Sequence, residues 1–224
     1  MSGAEEEDEY VSARLEATLA LAVRFVDAFT GRVPTGPPSG LPLVSMAGFD
    51  TEPTVATGGY AVFRERPPTP PTLVVDGRGR FLDDRVPVDP GTLAADPPVA
   101  EVRLTPAPAY AFPPGTTLVY GLVRDAAGVP VTGADVTVAG TAVETETTRT
   151  GEFVLYVTDQ PGWEVVDDGG TVFVRVAGEN PQITVSHDDA GTGSVRFEVR
   201  AVRVTTALLT LDGATLTVEE TRSR

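Results

Sequence analysis

The sequence predicts an all-β protein built as two tandem β-sandwich modules, and three observations carry that reading. Short runs rich in Val, Leu, Phe and Tyr alternate with polar residues at the two-residue period of a half-buried strand. Gly, Pro or Asp closes almost every run, and the 23 glycines and 20 prolines are scattered rather than repeated. At 224 residues with 41% hydrophobic composition, the chain has room for two β modules of about 100 residues each.

The elements follow in order. Glu5, Glu6, Glu7, Asp8 and Glu9 form an unbroken acidic run, so residues 1–14 read as a solvated, flexible arm. Helix and strand compete next: Leu15, Leu19 and Ala22 sit at helical spacing, whereas Leu21, Val23 and Phe25 alternate. A strand over 18–27, ended by the turn "DAFTGR", fits better. Further strands are expected at 41–46, 59–65, 71–77, 85–90 and 100–106. Four prolines, Pro106, Pro108, Pro113 and Pro114, then rule out a central strand. Residues 106–116 therefore read as a stiff Pro-rich linker between an N-terminal module at 15–105 and a second at 117–224.

The second half repeats the rhythm, with strands expected at 116–125, 134–140, 142–149, 151–158, 171–178, 181–187, 194–211 and 214–220. An internal echo ties the halves together. "VRFVDAFTGRVPTG" (23–36) parallels "YGLVRDAAGVPVTG" (120–133): each runs into an Asp-Ala pair, then Gly, then Val-Pro.

Charge narrows the function classes. Acidic residues number 32 against 17 basic ones, every basic residue is Arg, and the net charge is -15. Binding to nucleic acid or an anionic membrane, which needs clustered cations, is disfavoured. Dense carboxylates without Lys fit a protein adapted to high salt. The absence of Cys excludes disulfides and thiolate metal sites. The acidic N-terminus does not read as a signal peptide, and no apolar run reaches the roughly 18 residues of a membrane span. Cytoplasmic synthesis is the expectation.

Candidate chemistry is sparse. His187, the single histidine, stands beside Asp188 and Asp189 at an expected strand end, where a surface role outweighs a metal or general-base role. Any Ser-His-Asp triad would have to use this imidazole. "VVDDGGT" (165–171) and "DDAGTGS" (188–194) pair carboxylates with glycines but lack the spacing of a calcium loop, so both read as solvated turns. "DGRGR" (76–80) lies between strands and reads as a hairpin rather than a phosphate cradle. No catalytic residue, metal or cofactor is expected. Tyr110 and Phe112 on the Pro-rich segment, and Trp163 in a loop after Pro161-Gly162, are candidate partner-binding aromatics.

In "GLVRDAAGVPVTGADVTVAG" (121–140) and the "TETTRTGEFVL" that follows, eleven positions fit one pattern: Gly121, Val123, Gly128, Pro130, Val131, Gly133, Ala134, Val136, Thr145, Gly151 and Phe153. This stretch resembles the carboxypeptidase regulatory-like family, which implies a transthyretin-like sandwich and a non-catalytic module. Thr148, Arg149 and Thr150 stand where the family has an Asp, which weakens the idea of an ion at that turn. The N-terminal "VRFVDAFTGRVPTG…LPLV" resembles accessory proteins of phage-tail-like particles and contractile injection systems, implying an Ig-like first module. Together these imply a non-enzymatic structural or adaptor component of such a particle from a halophile. Its partners would be other protein subunits, and the particle could be released from the cell. The alternative is a carbohydrate-binding or adhesion module at the cell surface.

Overall fold

A computed structural model describes residues 20–35, 41–56, 59–65, 70–89, 98–157 and 162–223. The expected acidic arm lies outside them. Among the described residues there are eighteen strands and no helix, so the protein is all-β. No helix there is long and apolar enough to cross a membrane.

The first half holds seven strands: β1 (Leu21–Asp27), β2 (Leu43–Met46), β3 (Thr54–Ala56), β4 (Tyr60–Phe63), β5 (Thr72–Asp76), β6 (Asp84–Pro87) and β7 (Val99–Leu104). They form two sheets, ordered β3-β4-β1-β7 and β2-β5-β6. Alternation explains the core between them. Val23, Phe25, Phe63 and Val102 from one sheet meet Val44, Met46, Leu73 and Val75 from the other.

The second half follows with β8 (Thr117–Asp125), β9 (Asp135–Val138), β10 (Glu144–Glu146), β11 (Glu152–Val157), β12 (Trp163–Asp168), β13 (Thr171–Val176), β14 (Gln182–His187), β15 (Gly191–Arg196), β16 (Val199–Arg200), β17 (Val204–Asp212) and β18 (Thr215–Ser223). Sheets β11-β8-β17-β18 and β10-β9-β14-β15 enclose a separate core around Val123, Val136, Phe153, Ile183, Val185 and Leu209. A third sheet, β12-β13-β16, extends it through Val174 and Val199.

The sequence echo has a topological counterpart. Strand β1 lies between antiparallel β4 and parallel β7, and β8 lies between antiparallel β11 and parallel β17. Both strands end at an Asp whose carboxylate caps the turn. Asp27 Oδ1 accepts the N–H of Phe29 and Thr30, and Asp125 Oδ1 accepts the N–H of Ala127 and Val129.

Two details show why the 121–153 residues are what they are. Gly121 lies directly opposite Phe153, and the Phe153 ring occupies the space that a Cβ at 121 would need. Thr147 pins the "VTGA" bend: its hydroxyl donates to Val131 C=O and accepts the N–H of Ala134, each at 2.8 Å.

The structure departs from the sequence reading in three places. Residues 163–168, read as a loop, form β12; the strand is almost wholly exposed, so it carries none of the apolar alternation that marks buried strands. The single run expected at 194–211 is three strands, and the break between β16 and β17 falls where Val202 adopts a left-handed φ of 60°. The Pro-rich segment, expected as a stiff linker over 106–116, packs against the first half over 106–112. Pro106 bridges Phe81, Ala107 N–H donates to Arg80 C=O, and Tyr110 joins the first core.

Candidate binding cleft

Three regions could support function: an aromatic junction between the halves, an acidic cleft beside it, and an apolar cleft in the first half. The junction contains two of the residues singled out from the sequence. Tyr110 is only 6% exposed, and its hydroxyl donates to Oδ2 of buried Asp27 at 2.5 Å. Burial, followed by the Asp27 carboxylate, pushes the Tyr110 phenol up to about 12. Phe112 packs on Tyr110 at 4.6 Å between ring centroids, and Phe29 meets Phe112 edge-on at 5.2 Å. Tyr156 of β11 completes the group, 5.2 Å from Phe29 and 5.7 Å from Phe112. Tyr110 and Phe112, the candidate partner-binding aromatics of the Pro-rich segment, stand in this group, where Phe112 meets Tyr156 of the second half. Their rings pack within the chain against Phe29, Phe81 and Tyr156.

Trp163 opens β12 rather than a loop. It is half-buried against the second core, and its indole N–H is buried without a hydrogen-bond acceptor. His187 is engaged at the β14–β15 turn, where Nδ1 accepts the N–H of Asp189 and Ala190. Asp167 Oδ1 accepts Gly170 N–H at 2.8 Å, so "DDGG" is a hairpin turn closed by its own carboxylate.

A cleft of about 470 Å³ next to the junction is lined by Asp83 and Asp84 of the first half and by Asp135, Glu144 and Glu146 of the second, with Arg103 among them. Burial, reinforced by Asp135 and Asp84, raises the Glu146 carboxyl above its ordinary range. No group of three or more Asp, Glu or His among the described residues is arranged to hold a metal ion.

The larger cleft, about 670 Å³, opens between the two sheets of the first half. Its apolar walls come from Phe25, Phe49, Tyr60 and Val74, and Asp50, Glu52 and Asp76 also line it. Strand β4 supplies Tyr60 and β5 supplies Val74 and Asp76, while the segment after β2 supplies Phe49, Asp50 and Glu52. Thr51 is held there by donating to Glu65 at 3.1 Å. Partly covered rings beside carboxylate acceptors suit a ligand with one apolar face and several hydroxyl donors. The sequence reading missed this cleft, because its residues come from separate segments with no common spacing.

No family model matches the sequence, and no curated protein matches it. Among solved structures, the chain is similar to a family 26 carbohydrate-binding module, CBMbc, of Eubacterium rectale Amy13K in complex with maltoheptaose. Identity is 10%, coverage 91% of this chain and 95% of that one, and the TM-score 0.26. It is also similar to a candidate cell adhesion protein from Bacteroides ovatus, at 10% identity, 93% and 98% coverage and TM-score 0.26. At that level neither fixes a ligand for this chain.

Proposed function

We propose that the protein is a non-catalytic binding module whose first-half cleft holds a carbohydrate. One observation carries this reading: Phe49 and Tyr60 line the same cleft as Asp50, Glu52 and Asp76. Sugars present an apolar C–H face to aromatic rings and donate hydroxyl hydrogens to carboxylates, which are acceptors only. The acidic lining and the net charge of -15 favour neutral or amino sugars over uronic acids, since like charges repel. His187 supports the non-catalytic part: its Nδ1 accepts two backbone N–H groups, so Nε2 of the neutral ring carries the proton and faces outward as a donor rather than a base.

The test is a screen of neutral, basic and acidic soluble glycans followed by calorimetry on any hit. Tyr60→Ala or Phe49→Ala is expected to weaken binding by about tenfold, or 1.4 kcal/mol, with an unchanged circular dichroism spectrum. Absence of any hit, or a hit indifferent to both substitutions, overturns the assignment.

A second reading, an adaptor in a phage-tail-like particle of a halophile, draws on the exposed strand β12. Such particles are assembled from subunits by surface contacts of this kind. Co-purification with tube, sheath or baseplate subunits is its test.

A further inference from the structure

Strand β12 is the terminal strand of its sheet, and after half-buried Trp163 every residue from Glu164 to Asp168 is exposed. Val165 and Val166 are 67% and 41% exposed, and Val172 of β13 lies open nearby. The register between β12 and β13 runs without a shift from Trp163–Val176 to Asp168–Thr171. No Pro or bulge blunts this edge, and the charges that guard it, Glu164, Asp167 and Asp168, are all of one sign, so they repel acidic strands and not basic ones.

Backbone directions can be read from the neighbours. The N–H and C=O of Val176 bond Glu179, and Val172 C=O accepts from Ala201 N–H on the far side of β13. Residues 172, 174 and 176 therefore turn their backbone away from β12. In an antiparallel ladder their opposite numbers Trp163, Val165 and Asp167 must then turn theirs outward. The side chains of Glu164, Val166 and Asp168 share one face, and those of Trp163, Val165 and Asp167 the other.

We propose that β12 is a strand-addition site for an extended segment of a different protein, one in which Arg or Lys alternates with β-branched aliphatic residues. Backbone bonds to residues 163, 165 and 167 set the register. The cations lie beside Glu164 and Asp168, and the aliphatics beside Trp163 and Val165. Charge opposes a second copy: residues 163, 165 and 167 can only face one another across such a pair, so one centred on Val166 sets Glu164 against Asp168, and one centred on Val165 gathers Glu164, Asp167 and Asp168 of both copies along one seam. The chain's own acidic run at 5–9 is repelled for the same reason.

The experiment titrates the full chain with a labelled Arg-Val-Arg-Val-Arg-Val peptide, and with its Glu-Val counterpart, at about 0.15 M and about 1 M NaCl. Binding of the basic peptide should persist at the higher salt, slow amide exchange at Val165 and Asp167, and exceed that of the acidic peptide by at least about tenfold. Val165→Pro deletes an N–H that bonds nothing within the hairpin, so the fold should survive while binding drops by about tenfold. Glu164→Arg with Asp168→Arg should invert the preference between peptides, and that variant decides the matter if Val165→Pro unfolds. Exchange protection elsewhere on the acidic surface, equal binding by both peptides, or a dimer in sedimentation without peptide overturns the proposal.

Discussion

Tyr110 donates its phenolic hydrogen to Asp27 at 2.5 Å, tying the end of the Pro-rich segment to the turn after the first strand. Asp27 is 2% exposed and also accepts two backbone N–H groups, so the bond completes the satisfaction of a buried carboxylate. Tyr110→Phe should cost about 1–3 kcal/mol, the usual penalty for leaving a buried acceptor short of a donor. Since the Tyr110 phenol is raised from 10.0 to about 12, the folded state favours its neutral form. That contribution is whole below pH 10 and lost as pH rises from 10 to about 12. Urea titrations of both proteins between pH 8 and 12 should show a steeper alkaline decline in the wild type; parallel curves would refute the linkage.

Tyr156 of the second half touches this group through Phe29 and Phe112. Aromatic contacts of this kind contribute about 0.5–1.5 kcal/mol each beyond burial. A further crossing contact, Arg149 with Asp83 at 3.8 Å, joins exposed groups and adds little. Tyr156→Ala should therefore loosen the coupling between the two cores, and calorimetry should resolve two transitions where the wild type shows a more merged one. A single transition shifted downward as a whole would place the coupling elsewhere.

Most strands were legible because alternation reports burial on one face, as in Leu73 and Val75 of β5 or Val136 and Val138 of β9. The same rule concealed β12, since a strand exposed on both faces shows no alternation, and Pro161 and the Asp-Asp-Gly-Gly turn flank it. Large aromatics near prolines read as free anchors, yet Tyr110 and Phe112 are fixed by residues far along the chain, Phe29 and Tyr156. The cleft residues Phe49, Tyr60 and Asp76 meet only through sheet packing, which leaves no local pattern. Within the 121–153 motif, Thr147 was passed over for Thr145, because spacing alone does not distinguish the hydroxyl that pins the bend from one that has no partner.

That contrast gives a test. Thr147→Val keeps the shape but leaves Ala134 N–H and Val131 C=O unpaired, and should cost about 1–3 kcal/mol. Thr147→Ser should recover most of it. Thr145→Val removes a buried hydroxyl that bonds nothing and should be neutral or stabilising. Denaturant midpoints rank the three, and an equal loss at both threonines would contradict the roles assigned to them.

Glu146 is raised by burial first, then by Asp135 and by Asp84 across the cleft. A carboxyl raised in the folded state contributes most below its unfolded range, and the contribution is lost as pH rises through the folded value. Glu146→Gln should thus raise the thermal midpoint at neutral pH, and the gain should shrink as the solution is acidified into the carboxylate range. A variant less stable than wild type at pH 7 would mean that the charged form is needed.

Salt should act on the same repulsion over the whole molecule. With 32 acidic and 17 basic residues, the surface is crowded with like charge, and Asp83 and Asp84 face Asp135, Glu144 and Glu146 across a single cleft. Lowering ionic strength from molar to about 10 mM lengthens the screening distance from roughly 3 to 30 Å. Carboxylates a full cleft apart then repel, and the unfolding midpoint should fall. Salts also strengthen apolar burial, so sucrose at matched stabilising effect on a near-neutral reference protein serves as the control. The electrostatic share is isolated by Glu146→Gln combined with Asp135→Asn, which should flatten the salt dependence without lowering the high-salt midpoint. A midpoint equal or higher in low salt would reject adaptation to a salt-loaded environment, and a salt slope unchanged in the double variant would locate the repulsion outside this cleft.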